Sequence, residues 1–299
     1  MIGLKWAVVG AALLIALLVL VIGAAVYGSR RWEQGSQAIL ARLEAARTPP
    51  SPARYDAREL FGLPAPVQRF FRAALKDGQP IVAAASVTHT GSINMSATAE
   101  QWKPFTSRQR VITRRPGFDW DARIMMLPGV PAHVHDAYIA GEGLLRGALF
   151  GLVPVVNIAG TPEIARGELL RFFAETAWYP TALLPSQGVY WEAVDETSAR
   201  ATLTDGAVVV TLLLRFNAGG LIDTVRAESR DRVVDGKNVS APWQGRFWNY
   251  AERGGMRVPL DGEVAWILPE GVKTYWRGTT TSLNYEFANQ ATFKPAMRR

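Results

Sequence analysis

The stretch FDWDARIMM at residues 118–126 decides the fold class, because its hydrophobic character alternates with a period of two. Every second residue is apolar: Phe118, Trp120, Ala122, Ile124 and Met126. Successive side chains of a β-strand point to opposite faces, so this pattern predicts a strand with one face in a core. The stretch VVVTLLLRF at residues 208–216 alternates in the same way, and similar short stretches recur between residues 84 and 287.

Tight turn motifs lie between these stretches, among them Asp205-Gly206, Gly254-Gly255 and Asp261-Gly262. Parallel strands need long crossover connections, so these short turns predict an antiparallel meander. Residues 161–178, TPEIARGELLRFFAETAW, interrupt the strands with a helical pattern, and residues 64–77 give a second one. We therefore predict a mainly β (α+β) domain, in which a large curved antiparallel sheet of about 10–12 strands forms an unclosed barrel. Two or three helices pack on this sheet; two packed sheets are the alternative.

The N-terminal segment is uncharged from residue 7 to residue 27, AVVGAALLIALLVLVIGAAVY. About 20 apolar residues cross the hydrocarbon core of a bilayer as a helix. A cleaved signal sequence has a shorter apolar core of roughly 7–15 residues. We therefore predict a single-pass transmembrane anchor, which contacts the bilayer through residues 7–27. The flanking charges are Lys5 before the segment and Arg30 and Arg31 after it, and they do not decide on which side of the membrane the large domain lies.

The chain is divided here into three parts. Residues 1–31 form the anchor, residues 32–53 a juxtamembrane helix and a proline-rich linker, and residues 54–299 a single β-rich globular domain. The linker contains TPPSP at residues 48–52, and proline cannot continue a helix.

Composition excludes several classes of function. The chain has 33 Lys and Arg against 26 Asp and Glu without a dense basic stripe, so we expect no nucleic-acid partner. It has no cysteine, which excludes disulfides, thiol catalysis and cysteine-bound metals. Phosphate-binding loops, dinucleotide motifs and the serine nucleophile elbow are missing from the sequence, so we predict no cofactor. His133 and His135 share a strand face, but a third metal ligand such as Asp119 or Asp121 is only a guess, and we predict no metal.

Four residues are weak candidates for catalysis: Asp121, His135, Asp136 and Glu163. Paired carboxylates or a carboxylate with a histidine can act as acid and base. A membrane-anchored hydrolase that uses them is the alternative function. Glu168, Arg171 and Glu175 have the spacing i, i+3, i+7, which predicts an exposed, salt-bridged face of the helix.

The aromatic residues are the least ordinary feature of the chain, which has 10 Trp. Large aromatic side chains fill cores, but they also line apolar cavities that accept acyl chains. We therefore predict a membrane-anchored module that binds a lipid or another apolar ligand, with an arginine at an anionic head group. The predicted ligand-binding residues are Phe118, Trp120, Arg123, Trp178, Tyr179, Trp191, Trp243, Arg246, Trp248, Trp266 and Trp276. A structural envelope protein with a filled core and no ligand is a further alternative.

Several strings of the sequence carry a resemblance. These are PGFDWDARIMMLPG (116–129), DAYIAGEGLLRGAL (136–149), GELLRFFAETAWYPTALLP (167–185), APWQGRFWNYAERGGMRVP (241–259) and VAWILPEGVKTYWRG (264–278). Over residues 60–287 the chain resembles a bacterial membrane-anchored family of unknown function, which implies no activity. The order of elements is similar to the unclosed barrels of periplasmic lipoprotein carriers, although this chain has an apolar N-terminal segment and no lipidated cysteine. That likeness concerns the fold alone.

Overall fold

The computed structural model describes residues 2–96, 99–234 and 237–288. Its helices are α1 (Ile2–Ala46), α2 (Ala65–Ala74) and α3 (Pro162–Ala174). Short 3₁₀ turns cover Ala57–Leu60, Glu175–Trp178, Pro180–Leu183 and Pro185–Gln187.

The predicted helix at residues 161–178 forms as α3 and the 3₁₀ turn that follows it. The Thr161 hydroxyl accepts a hydrogen bond from the backbone N–H of Ile164, and Pro162 occupies the first helical position.

The strands run in an uninterrupted series on either side of α3. They are β1 (Val82–Asn94), β2 (Trp102–Ile112), β3 (Gly117–Leu127), β4 (Val130–Ile139), β5 (Glu142–Leu149), β6 (Val153–Ala159), β7 (Tyr190–Asp195), β8 (Ser198–Asp205), β9 (Val208–Phe216), β10 (Ile222–Val234), β11 (Lys237–Arg253), β12 (Met256–Leu268) and β13 (Gly271–Phe287).

All thirteen strands belong to one antiparallel sheet with the order β6-β5-β4-β3-β2-β1-β13-β12-β11-β10-β9-β8-β7. The sheet does not close, because β6 and β7 are its two edges, and this confirms the unclosed barrel rather than two packed sheets. Two meanders, β1–β6 and β7–β13, meet where β1 pairs with β13 in the middle of the sheet.

Most of the glycine-rich residues 141–151 form β5. Position 143 of this strand requires glycine, because a side chain there would overlap the backbone of Ile164 in α3. Asp261-Gly262 does not turn the chain but lies inside β12, where Gly262 faces the ring of Phe247.

The hairpins of the meander alternate between two ends of the sheet. We call the end with the β1–β2, β3–β4, β5–β6 and β12–β13 turns the proximal end. The opposite end, with the β2–β3, β4–β5 and β11–β12 turns, is the distal end. Gln79, which follows α2, donates to the carbonyl of Gly254 in the β11–β12 turn, so the segment around α2 packs at the distal end.

The main core lies on the concave face of the sheet. α3 contacts β3, β4, β5, β9 and β10 from inside the curve, and α2 contacts β8 and β12. The largest fully buried side chains include Phe70 and Phe71 of α2 and Phe172 and Phe173 of α3. α3 is apolar on most of its circumference, which is typical of a helix enclosed on several sides.

α1 is one continuous helix across the predicted boundary at residue 31, and its last part lies on the convex face of β2, β3 and β4. Gly28, Ser36, Ile39 and Leu43 are buried along one stripe of this helix, with the half-buried Trp32 between them. Ile39 and Leu43 form a second apolar cluster with side chains of the sheet. Residues 9–27 of α1, before this stripe, are almost all exposed, and the helix is long and apolar enough to cross a membrane.

Candidate functional site

A buried group of charged side chains lies between α3 and the concave face of the sheet. We call it the concave polar cluster; its members are Gln109, Asp136, Glu168, Arg171, Glu175 and Arg230. α3 supplies Glu168 and Arg171, the 3₁₀ turn after it supplies Glu175, and strands β2, β4 and β10 supply one residue each.

Arg171 is the centre of the concave polar cluster. Its guanidinium forms ion pairs with Asp136 and, at 2.8 Å, with Glu175. The same guanidinium stacks on Phe118 and Trp120, and its central carbon, Cζ, lies 5.0 Å and 4.9 Å from the two ring centroids. Charge-assisted hydrogen bonds and cation–π contacts are both stronger away from water, so this arginine joins the helix to β3 and β4.

The exposed face predicted for Glu168, Arg171 and Glu175 was therefore wrong. Glu168 is 4% exposed and Arg171 and Glu175 are largely covered. The i, i+3, i+7 spacing places charges on one face of a helix. It does not show whether that face meets water or a sheet that carries the matching charge, here Asp136 on β4.

Glu168 occupies the most unusual position of the cluster. Its nearest cation is Arg230, 3.7 Å away, a distance too long for a good hydrogen bond. Burial, with the negative charge of Asp136, raises the pKa of Glu168 well above its usual range. A proton on Glu168 leaves two carboxylates and two arginines in the cluster, so the protonated form balances the buried charge.

Five buried polar atoms on this side of the sheet have no hydrogen-bond partner among the described residues. They are His89 Nε2, Gln109 Oε1, Trp120 Nε1, Trp178 Nε1 and Thr280 Oγ1. Folded proteins pair most buried polar atoms, so such a group marks a place that can bind water or the polar part of a ligand. Burial and the charge of Arg171 lower the pKa of His89 to about 3, so its imidazole is neutral.

The proximal part of the concave face is apolar and only half-buried. We call it the apolar rim; it consists of Ile93, Met126, Val134, Leu149, Val264, Trp266 and Trp276. Trp276 packs against Phe105 and the His89 ring, which connects the rim to the unpartnered polar atoms. Arg232 lies over Trp266, 5.1 Å from its ring centroid, and adds a positive charge at the rim.

The wide apolar cavity predicted from the aromatic residues is reduced to this rim, because α3 and the 3₁₀ turns fill most of the concavity. Two clefts lie elsewhere. One of about 500 Å³ lies beside the start of α3 between residues 141–142 and 207–209. The other, of about 400 Å³, lies at the proximal end between residues 94–102 and 272–277.

Six of the predicted ligand-binding residues come together on the concave side: Phe118, Trp120, Trp178, Trp243, Trp266 and Trp276. Trp178 packs on His89, and the Trp243 indole donates to the Tyr275 hydroxyl at 2.9 Å. Tyr179 is also buried near this group, where its hydroxyl donates to the carbonyl of Phe172.

The other four predicted residues lie apart from the concave site. Trp191 is buried against Phe71 of α2, on the other side of the core. Arg123, Arg246 and Trp248 point to the convex face, and Arg246 stacks on Trp248 there. Alternation along β3 and β11 puts these three on the face opposite to Trp120 and Trp243.

The four candidate catalytic residues are distributed over three places. Asp121 and His135 pair across β3 and β4 on the convex face, whereas Asp136 belongs to the concave polar cluster. Glu163 is exposed in the first turn of α3. No single pocket holds them together.

Asp121 and His135 belong to a second polar group, which we call the helix-docking cluster: Trp32, Ser36, Asp119, Asp121 and His135. His135 Nδ1 lies 2.8 Å from Asp119 Oδ1, and its Nε2 lies 2.9 Å from the Ser36 hydroxyl. Ser36 also donates to Asp121 at 3.0 Å, and Trp32 stacks on the His135 ring with centroids 4.8 Å apart.

The order Ser36–His135–Asp119 matches the connectivity of a serine, histidine and aspartate triad, but the surroundings favour a structural role. A serine hydroxyl has one proton, and when Asp121 accepts it, His135 has to donate to Ser36 instead of accepting from it. Ser36 is 2% exposed on the side of α1 that faces the sheet, so a substrate cannot reach it while the helix is docked. Burial raises the pKa of Asp119, partly offset by His135.

Neither polar group forms a metal site. Over residues 2–96, 99–234 and 237–288, no group of three or more His, Asp or Glu side chains is arranged to hold a metal ion. His133 stacks against Trp32, with ring centroids 5.4 Å apart.

Sequence reasoning missed Ser36, Arg171 and Arg230 as site residues. Arg230 reaches the concave face because a bulge between Ala227 and Arg230 shifts the alternation of β10. Such a shift breaks the simple period of two, so strand periodicity alone could not assign Arg230 to a face. Ser36 lay in a segment interpreted as a separate juxtamembrane helix.

The family of this chain is decided by a sequence comparison. The model of DUF6920, a family of unknown function, matches residues 61–285. The chain belongs to DUF6920. This confirms the family resemblance found in the sequence, and the match covers both meanders of the DUF6920 sheet, including the concave polar cluster and the apolar rim.

Solved structures similar to this DUF6920 chain include a LolA superfamily protein from Nitrosomonas europaea. It is 12% identical with a TM-score of 0.40, over 72% of this chain and 91% of that chain. A beta-barrel-like protein of the domain of unknown function DUF1849 from Brucella abortus is 10% identical with a TM-score of 0.24, over 69% of this chain and 99% of that chain. Both TM-scores are below 0.5, and neither likeness bears on function. A comparison with curated proteins gives no match.

Replacing Glu168 by glutamine is expected to change how stability depends on pH. With a folded-state pKa raised above its unfolded value of about 4.3, Glu168 is protonated in the folded protein where the unfolded chain is ionised. The free energy of unfolding of the wild type then falls as pH rises through this window, by up to about 1.4 kcal/mol per pH unit from this residue. The glutamine variant lacks this loss, so its stability relative to the wild type should increase with pH.

Urea denaturation of the full chain in detergent micelles between pH 4 and 8, followed by tryptophan fluorescence, measures this difference. Glu163→Gln, in the exposed first turn of the same helix, is the matched control and should give a difference that changes little with pH. A constant difference for Glu168→Gln would show that Glu168 is ionised in the folded protein.

Proposed function

We propose that this protein is a membrane-anchored module that binds an amphiphilic ligand on the concave side of its sheet. The apolar part of the ligand lies along the apolar rim, and its polar group meets the concave polar cluster. The exposed apolar part of α1 crosses the bacterial inner membrane once and keeps the module at the bilayer.

One observation carries this proposal: the apolar rim of half-exposed side chains lies next to buried polar atoms without partners in the described part of the chain. A purely structural core would cover the rim and pair the polar atoms, because each unpaired buried group costs free energy. A ligand with an apolar and a polar part satisfies both surfaces at once.

The charges favour an anionic head group. Arg230 lies over the Trp243 ring, and its nearest carboxylate oxygen, on Glu168, is 3.7 Å away, which is too far for a good hydrogen bond. Arg232 stands beside it on the rim, over Trp266. Arginine pairs well with carboxylate or phosphate, because its planar guanidinium offers several donors. Fatty acids and acidic phospholipids have the required chemistry.

Photo-cross-linking of the full chain in bacterial membranes tests the proposal. The probe is a phosphatidic acid with a diazirine in its acyl chain, and the labelled peptides are identified by mass spectrometry. We expect labelling of peptides that contain Trp266 and Trp276, and a several-fold loss of this labelling in Trp276→Ala. Trp248→Ala is the matched control, because Trp248 is 40% exposed on the opposite face.

Circular dichroism of both variants shows whether they are folded. Labelling of the rim that is equal in the wild type, Trp276→Ala and Trp248→Ala would contradict the proposal. Labelling confined to residues 7–27 would also contradict it and would favour a structural protein without a ligand.

A hydrolase is not proposed, because the polar groups that it would use do not converge. Asp136 and His135 are adjacent in β4 and therefore lie on opposite faces of the sheet. Glu163 is separate from both. The Ser36–His135–Asp119 connection is enclosed between α1 and the sheet.

A further inference from the structure

The proximal turns of the sheet expose an unusual amount of apolar surface. Met95 is 46% exposed, Leu127 60%, Val153 57%, Val155 58% and Val272 66%. These residues lie in or beside the β1–β2, β3–β4, β5–β6 and β12–β13 turns, which share one end of the sheet. Apolar side chains concentrated on one end of a domain mark a contact with another apolar surface.

α1 brings the β5–β6 turn next to the end of its apolar segment. This segment ends at Tyr27, and the next residue, Gly28, is buried against Phe150 and Leu152 of the turn. A side chain at position 28 would overlap the carbonyl oxygen of Phe150 and the Leu152 side chain. Glycine at this position therefore lets the turn pack directly on the helix backbone, where the apolar segment gives way to Arg30 and Arg31.

The β3–β4 turn reaches the same level. Trp32 contacts His133, and Trp32 lies about 6 Å along the helix from Gly28. His133 lies about 10 Å along its strand from Val130, next to the turn. The tip of this hairpin, with Leu127, therefore lies at the level of Gly28 or slightly beyond it towards the apolar segment.

Basic side chains lie around these turns, and two acidic side chains, Glu100 and Glu270, lie in the β1–β2 and β12–β13 turns. Arg30, Arg31 and Arg123 are exposed, and Lys103 and Lys273 lie near the proximal ends of β2 and β13. Basic residues close to a membrane surface are attracted to acidic lipid head groups. Exposed apolar tips with basic residues around them have the chemistry of a surface that inserts into the interfacial layer of a bilayer.

We propose that the proximal turns insert into the interface of the same bilayer that α1 crosses, so that the apolar rim opens onto the membrane surface. The partner is an acidic lipid surface, and the contact continues the packing of α1 on the β5–β6 turn. This inference rests on the proposed anchoring of α1, but it does not require a ligand on the concave side.

Site-directed spin labelling tests this arrangement, since the chain contains no cysteine and each introduced cysteine is a unique label position. The full chain is reconstituted in vesicles of phosphatidylethanolamine and phosphatidylglycerol. Leu127→Cys and Val153→Cys report on the turns, and Leu13→Cys reports on the apolar segment. Phe61→Cys is the matched control, because Phe61 is 95% exposed in the segment that packs at the distal end. All four positions are exposed, so the variants should fold.

Power-saturation electron paramagnetic resonance compares accessibility to oxygen, which enters bilayers, with accessibility to a water-soluble nickel chelate. We expect the labels at residues 127 and 153 to be several-fold less accessible to nickel than the label at residue 61, and less deeply buried than the label at residue 13. If the label at residue 13 is in the bilayer but the turn labels are as accessible to nickel as the label at residue 61, the turns do not insert into the interface, whereas the anchoring by α1 is supported. If residue 13 itself is exposed to nickel, the anchoring fails and this inference with it.

Discussion

Replacing Arg171 by leucine is expected to lower the free energy of unfolding by about 3–5 kcal/mol. Arg171 is the partner of both Asp136 and Glu175, and it stacks on Phe118 and Trp120. Removal of one partner from a buried ion pair leaves the remaining charge in a poorly solvated position, and this costs more than the pair itself contributes. Here two carboxylates lose their counter-ion at once, while the nearby Glu168 is already difficult to ionise.

Arg166→Leu is the control for this substitution, because Arg166 lies on the same helix and is exposed. It should change stability by no more than about 0.5 kcal/mol. Urea denaturation of the full chain in detergent micelles measures both variants. If Arg171→Leu were as stable as Arg166→Leu, Arg171 would be solvated in the folded protein and the concave polar cluster would not hold α3 to the sheet.

Removal of residues 1–53 is expected to weaken the domain far more than removal of residues 1–27. The structure places the last part of α1 on the convex face, where Ile39 is 5% exposed and Leu43 is fully buried. Each of these side chains contributes about 1.5–3 kcal/mol by burial, so a chain that starts at residue 54 should lose roughly 3–6 kcal/mol. It would also expose the apolar cluster beneath the helix, including Ile112 and Ile139.

Denaturation midpoints of residues 28–299 and 54–299 compare the two forms directly. Two point variants of the longer form provide the matched pair: Leu43→Ala should cost about 2–5 kcal/mol, and Gln37→Ala, at an exposed position of the same helix, should cost little. Equal midpoints for the two lengths would place the start of the folded domain at residue 54. We propose instead that the domain includes the docked part of α1.

The period of two along FDWDARIMM predicted strands with one buried face, and the short turns between such stretches predicted that they pair antiparallel. These patterns were not enough to predict what covers each face. Glu168, Arg171 and Glu175 have the spacing of a solvated stripe, and only Asp136 and Arg230 on distant strands turn that stripe into a buried cluster.

The convex face shows the same limit. Asp121 and His135 were recognised as chemically interesting, but their partner Ser36 lies 85 and 99 residues away in the sequence. The partner could not be identified because nothing in a helical segment after an apolar stretch shows that it will fold back onto the sheet. A glycine was easier to interpret from the sequence. Gly143 lies where the backbones of β5 and α3 approach each other too closely for a side chain.

The pairing of β1 with β13 in the middle of the sheet has a consequence for how the chain is made. During synthesis the first meander can fold as soon as residue 159 has left the ribosome, but the outer edge of β1 then has no neighbour. It stays open for more than a hundred further residues, until Gly271–Phe287 emerges. An open strand edge readily pairs with other chains, and contacts between distant residues form slowly. Until β13 has been made, the strand edge of the nascent protein that needs protection is therefore that of β1, in the middle of the final sheet. A stop in translation before β13 leaves this edge free to pair with other chains, and the product is prone to aggregate.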